Sequence, residues 1–129
     1  MPNIKDQMIH LGLGATAVPQ PPFTGMEWYA DYAARAASDG DEGRLVAMFD
    51  SGAGAWDRWE MHPTGSEVVL CVSGEMTLIQ EIGDEERSTL LGPGDYIIND
   101  PGIWHTAVVA ESATGLFITS GRGTEHRPV

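Results

Sequence analysis

The sequence contains a single cysteine, Cys71. One thiol excludes an internal disulfide and any zinc finger built on paired cysteines. A small domain without such staples suits a reducing compartment, so the expected location is the cytoplasm. Basic residues are also scarce: 7 Lys and Arg stand against 19 Asp and Glu, a formal charge of −12. A chain this acidic repels phosphate backbones and anionic lipid surfaces, which removes nucleic acid and membranes from the expected partners. Long apolar runs are missing. Met1 to Gly14 carries Lys5, Asp6 and His10 and does not read as a signal peptide, and no segment reaches the roughly 20 apolar residues of a membrane span. No repeat of fixed period and no low-complexity tract is present.

What is there fits one domain of 129 residues. The 16 Gly and 8 Pro favour many short strands over a few long helices. Residues 1–42 read as an N-terminal arm and a helix packed on the body, and 43–129 as a β-barrel with a C-terminal tail. The arm, with Pro19, Pro21 and Pro22, is expected to hold at most one short strand. Thr24 to Glu27 fits a capping box, with Thr24 as N-cap. Trp28 to Ser38 follows as an Ala-rich helix that stops at Asp39-Gly40 and covers an edge or opening of the barrel. From Gly43 the pattern changes to about eight short strands separated by turn residues such as Pro63-Thr64-Gly65 and Gly92-Pro93-Gly94-Asp95. Such spacing means an all-β sandwich or barrel.

Ala55 to His62 alternates, so Trp56, Arg58, Glu60 and His62 share one strand face. His62 ends that strand and Glu67 opens the next across a tight turn. His105 opens a later strand. If that strand lies beside the hairpin, Glu60, His62, Glu67 and His105 converge inside the barrel. Imidazole and carboxylate donors suit one divalent metal such as Fe, Mn, Zn or Ni. Glu67 begins an otherwise apolar strand, where a lone carboxylate is costly unless paired or ligated.

Two stretches resemble the motifs of the cupins, small jelly-roll β-barrels. Gly54, Glu60, His62, Glu67 and Gly74 follow the spacing of the first cupin motif, with Glu60 in the place of its first histidine. Gly94, Gly102 and His105 follow the second, with Asp100 where Pro is usual and Val109 where Asn is usual. The resemblance covers about residues 43–120. It implies a cupin-type jelly roll with Glu60, His62, Glu67 and His105 as the metal ligands, two His and two carboxylates in place of three His and one Glu. That set favours a harder metal, Mn or Fe(II). A site without metal is the other expectation, and then one carboxylate needs a raised pKa or a partner such as Arg58. The resemblance implies oxygenase, isomerase or lyase chemistry on a small organic molecule. The alternative is a metal-free, non-catalytic small-molecule-binding or sensory module. A third option is a metal-independent, epimerase-like activity using a His–Asp pair and a tyrosine acid, for which Tyr96 is the only tyrosine of the core region. No organic cofactor and no particular catalytic residue is implied.

Trp59, Trp104 and Met61 are expected to pack outside the barrel against the helix or a second subunit, and the cover they need points to a homodimer. Trp56 is the pocket aromatic. Cys71 shares the parity of Glu67 and Val69 and reads as a buried inert thiol. Gly121 to Arg127 is either a surface tail or a flap at the barrel mouth, where Arg122 or His126 could meet an anionic substrate.

Overall fold

A computed structural model describes residues 1–129. The arm forms a hairpin of β1 (Ile9–Gly12) and β2 (Thr16–Pro19), followed by helix α1 (Glu27–Ala36). Then come β3 (Arg44–Ala55), β4 (Arg58–Met61), β5 (Glu67–Gly74), β6 (Met76–Ile82), β7 (Glu85–Leu91), β8 (Tyr96–Asn99), β9 (His105–Thr119) and β10 (Glu125–Pro128). Every pairing is antiparallel, within one rolled ten-stranded sheet. The all-β jelly-roll expectation therefore holds.

The spine is β9, 15 residues long. Its first half pairs with β6 and its second half with β5 along one edge, while β4 and β3 follow each other along the opposite edge. The sequence pattern read its two halves as separate strands because Ala110 to Gly115 breaks the alternation. The strand instead bends there through register shifts against β3 and β5. The ten strands are those two halves fused, five others as expected, the alternating stretch shortened to β4, and β1, β2 and β10 in addition.

Strand alternation decides the interior. Glu67, Val69 and Cys71 of β5 and Met76, Leu78 and Gln80 of β6 are buried, and the residues that alternate with them are not. Val69, Leu78, Ala107 and Val109 form the centre of the barrel core. A second core lies outside the barrel, where Met8, Trp28, Leu45 and Ala47 join the arm and α1 to β3.

The helix start differs from expectation. Thr24 makes no cap; α1 begins at Glu27 with Met26 ahead of it, already in helical conformation, and no side chain bonds the first turn. The early amides are satisfied by backbone instead, Trp28 N–H donating to Gly25 O at 3.1 Å and Tyr29 N–H to Met26 O at 3.2 Å. Beyond Ala36 the chain tightens into 3-10 turns over Ala37–Glu42.

Trp28 anchors the helix. It is 3% exposed, stacks on Tyr32 with centroids 5.5 Å apart, and donates its indole N–H to Pro21 O at 3.0 Å. Trp28→Ala is expected to destabilise the protein by about 3–5 kcal/mol, measured by denaturant unfolding, because it opens a large hole in the smaller core. No helix is long and apolar enough to cross a membrane.

Candidate metal centre

Three local features gather the site. Glu60 on β4 lies directly opposite His105 on β9, so their side chains emerge side by side. His62 follows β4 immediately, on the parity of Glu60. Glu67 opens β5 opposite Asn99 of β8. One donor atom from each of Glu60, His62, Glu67 and His105 lies within 4.8 Å of every other. Glu67 is 3% exposed, His62 5% and His105 0%. The structure thus brings together all four side chains singled out in the sequence.

The orientation of the imidazoles is set from behind. His105 Nδ1 is 3.1 Å from Ile103 O, a pure acceptor, so Nδ1 carries a proton. His62 Nδ1 is 2.8 Å from Thr124 Oγ1, whose own hydrogen goes to Gly121 O at 2.9 Å, so here too Nδ1–H donates. Both Nε2 atoms consequently face the carboxylates. His62 Nε2 is 3.2 Å from Glu67 Oε2 and 3.5 Å from Glu60 Oε2; His105 Nε2 is 3.1 Å from Glu67 Oε1 and 3.6 Å from Glu60 Oε2. These contacts do not have hydrogen-bond alignment, and the two Nε2 atoms are buried without a hydrogen-bond partner. Buried polar atoms left in this state are costly and rare.

The spacing explains the misalignment. Donors about 2.1 Å from a shared cation lie about 3.0 Å apart along an octahedral edge and about 3.4 Å apart along a tetrahedral one. The two Glu67 contacts, 3.1 and 3.2 Å, fall in that range, and the two Glu60 contacts, 3.5 and 3.6 Å, lie just above it. The residues therefore fit a divalent ion, whose charge two carboxylates balance.

Without a cation the four groups neutralise one another. Burial alone would raise the Glu67 carboxyl, but the imidazoles of His105 and His62, within 3.2 Å of its oxygens, outweigh it and hold the group at about 2. Glu60 is held well below the usual carboxylate range by the same balance. Burial alone would lower the histidines, yet the two carboxylates push His62 up to about 9 and His105 up to about 10. The carboxylates' partners are thus histidines. Arg58, expected in that role, lies 3.5 Å from Asp57 at the surface.

Sequence reasoning missed the groups behind Glu67. Asn99 Nδ2 donates to Glu67 Oε1 at 3.1 Å, Thr119 Oγ1 to Glu67 Oε2 at 2.8 Å, and Gln80 Nε2 to Asn99 Oδ1 at 2.7 Å. The available signal was parity: Gln80 shares the inward face of Met76 and Leu78 in an apolar strand. The tail was also undervalued. It is strand β10, paired with β4 in a register that sets His126 opposite Glu60, and His126 Nε2 is 3.1 Å from Glu60 Oε1. Thr124→Val removes the acceptor for His62 Nδ1–H and is expected to weaken metal binding about 10–100-fold in a chelator-competition titration.

A cavity of about 480 Å³ opens beside the cluster. Tyr29 and Tyr32 of α1 close one side, Phe49, Trp56 and Phe117 the other, and Glu60, His62 and Glu67 contribute the polar part. Trp56 lines the cavity, and so do Tyr29, Tyr32 and Ala33 of α1. Tyr96 is not in the cavity; it is 64% exposed on the outer face, which removes it as the tyrosine acid. Trp59 and Trp104 do lie outside, but the protein's own β10 covers them: the Arg127 guanidinium sits 5.1 Å from the Trp59 ring and 4.6 Å from Trp104, and also bonds Glu81. Neither the helix nor a second subunit is needed there. Cys71 is buried, its Sγ 3.5 Å from the carbonyls of Ser73 and Gly74, with burial pushing the thiol pKa up.

A rolled antiparallel sheet with a His/Glu cluster on its inner wall defines a small jelly-roll barrel with a candidate metal site. The sequence profile of the Cupin domain family matches residues 46–121, and the chain belongs to that family. Among solved structures, it is similar to an uncharacterized conserved protein with a double-stranded beta-helix domain from Klebsiella pneumoniae (TM-score 0.56, 24% identity, covering 67% of this chain and 76% of that one). It is also similar to an oxalate oxidase (TM-score 0.54, 18% identity, 63% of this chain and 44% of that one). A third likeness is to Fe(II)-HppE with an alternative substrate (TM-score 0.50, 16% identity, 59% of this chain and 42% of that one). The chain spans less than half the length of the last two, and these likenesses show the fold. No curated protein matches the sequence.

Proposed function

We propose that this cupin is a metal-dependent enzyme that holds one divalent cation through Glu60, His62, Glu67 and His105 and acts on a small organic molecule in the adjoining cavity. The observation that carries this is the pair of buried Nε2 atoms, unpartnered by hydrogen bonds and facing two carboxylates at coordination-edge distances. Two carboxylates make a harder donor set, which favours Fe(II) or Mn. A bound cation supplies Lewis acidity or, for a redox-active metal, oxygen activation, the chemistry of an oxygenase, isomerase or lyase. The protein's part is separate. Aromatic walls strip water from the substrate, and Asn99, Thr119, Thr124 and Ile103 keep the donors in place.

Elemental analysis of protein purified without a metal-affinity tag tests this. About one metal per chain is expected, falling to under a tenth of that in His62→Ala and His105→Ala, with a smaller loss in Glu60→Ala. Trace metal that these substitutions leave unchanged would instead support a metal-free binding module.

A further inference from the structure

A second cluster of titratable side chains borders the same cavity, built from the arm and helix. His10 of β1 is 6% exposed. Its Nε2 lies 2.6 Å from Asp39 Oδ2 and its Nδ1 2.6 Å from the Tyr32 hydroxyl. An ionised Asp39 can only accept, so the ring proton sits on Nε2 and the Nδ1 lone pair accepts the Tyr32 O–H. Tyr32 lines the cavity. Its oxygen, with its own hydrogen already given to His10, keeps lone pairs for another donor.

The backbone makes room for this arrangement. A Cβ on Gly43 would lie 2.8 Å from His10 Cε1, and one on Gly12 would lie 2.7 Å from Asp39 Oδ2. Both glycines have ordinary φ angles, −103° at Gly12 and −68° at Gly43. Their lack of a side chain therefore serves space and not backbone freedom. Three separate elements and two glycines converge on one hydrogen-bonded row that ends at the cavity.

We propose that Asp39, His10 and Tyr32 form a proton relay that takes the hydroxyl proton of a neutral, planar ligand, a phenol or enol, bound in the cavity. The ligand O–H proton moves to Tyr32 Oη, the Tyr32 proton moves to His10 Nδ1, and the resulting imidazolium is held against the Asp39 carboxylate. The ligand becomes an anion, His10 a cation, and Tyr32 is neutral before and after. Burial first, and then the Asp39 charge, push Tyr32 up to about 12, so the tyrosine passes a proton on and does not store negative charge.

The ligand class follows from the surroundings. Tyr29, Phe49, Trp56 and Phe117 offer ring faces to a flat molecule. A chain of charge −12 repels a ligand that arrives already ionised. The nearby cations are engaged, Arg122 by Asp41 at 3.2 Å and Arg58 by Asp57 at 3.5 Å. A ligand that enters neutral and ionises in place avoids that barrier. The inference rests on the cavity being the ligand site, as proposed above, but not on the metal.

The test is a titration with 3-nitrophenol, in metal-free and in zinc-loaded protein, one pH unit below the probe's solution pKa, where an ordinary histidine is neutral. The nitrophenolate band and the 15N resonances of His10 are followed. Free probe is about one-tenth ionised at that pH. Bound probe is expected to be more than half ionised in both forms, with His10 Nδ1 gaining a proton. In Tyr32→Phe the ionised fraction returns to that of free probe, with melting temperature and zinc content kept. Asp39→Asn, which retains the Tyr32 hydroxyl, gives the same loss while probe affinity stays within a few-fold. Unchanged ionisation in Tyr32→Phe, a bound probe that stays protonated in the wild type, or no binding overturns the relay. Failure of zinc to load, with the metal-free result intact, overturns the metal reading and leaves the relay standing.

Discussion

Glu67→Gln is expected to destabilise the metal-free protein by about 3–5 kcal/mol, which for a domain of this size lowers the melting temperature by roughly 10 °C or more. The substitution is nearly isosteric, so packing changes little. It removes the one charge that faces both buried imidazoles, at 3.1 and 3.2 Å, and leaves His62 and His105 with only the more distant Glu60. Breaking a buried ionic cluster by deleting one member strands the others, and this outweighs the modest worth of the intact cluster. Metal content should fall in parallel. Thermal unfolding of chelator-treated wild type and variant measures the effect. A change under about 1 kcal/mol would mean that the imidazoles are neutral in the folded protein and that the cluster is not ionic.

Metal uptake is expected to depend steeply on pH. In the metal-free protein His62 and His105 are protonated up to about 9 and 10. A cation must displace both Nε2 protons, so apparent affinity rises about 100-fold for each pH unit up to roughly pH 9, about tenfold from there to roughly pH 10, and then levels off. Calorimetric titrations in buffers of different ionisation enthalpy should report about two protons released per metal. Release of none would show that the imidazoles are not ligands. Stability without metal moves in the opposite direction. The histidines, raised from 6.5, contribute fully below that value, and their share is lost as pH rises through 9 and 10. Glu67, lowered from 4.5 to about 2, contributes above 4.5 and loses its share as pH falls through 2. Metal-free protein is therefore most stabilised by the cluster between about pH 4.5 and 6.5.

The barrel and the four-residue cluster were legible because both rest on short-range rules. Period-two alternation put Glu60 with His62, and Glu67 with Val69 and Cys71, on one face each. Turn residues marked most strand ends. The motif spacing then linked His105 to the hairpin. What was not legible depends on pairing between segments remote in sequence. Nothing local to Gly121 to Arg127 shows that it adds a strand to β4, so Thr124 and His126 were reduced to a polar tail. Nothing local to His10 shows that it meets Asp39 and Tyr32 across two other elements. The Thr24 capping box matched its pattern and failed because the backbone ahead of α1 had already turned helical and satisfied the first amides itself.

The molecule has two hydrophobic cores, and the cavity lies at their junction. All four candidate ligands belong to the barrel, and the arm and α1 contribute none. The outer layer is therefore expected to open as its own cooperative unit, by parting β1 from β3, without disturbing the donor cage. Such partial opening gives a ligand its route inward, and a ligand seated across the junction ties the two units into one, slowing amide hydrogen exchange in the arm far more than in the barrel.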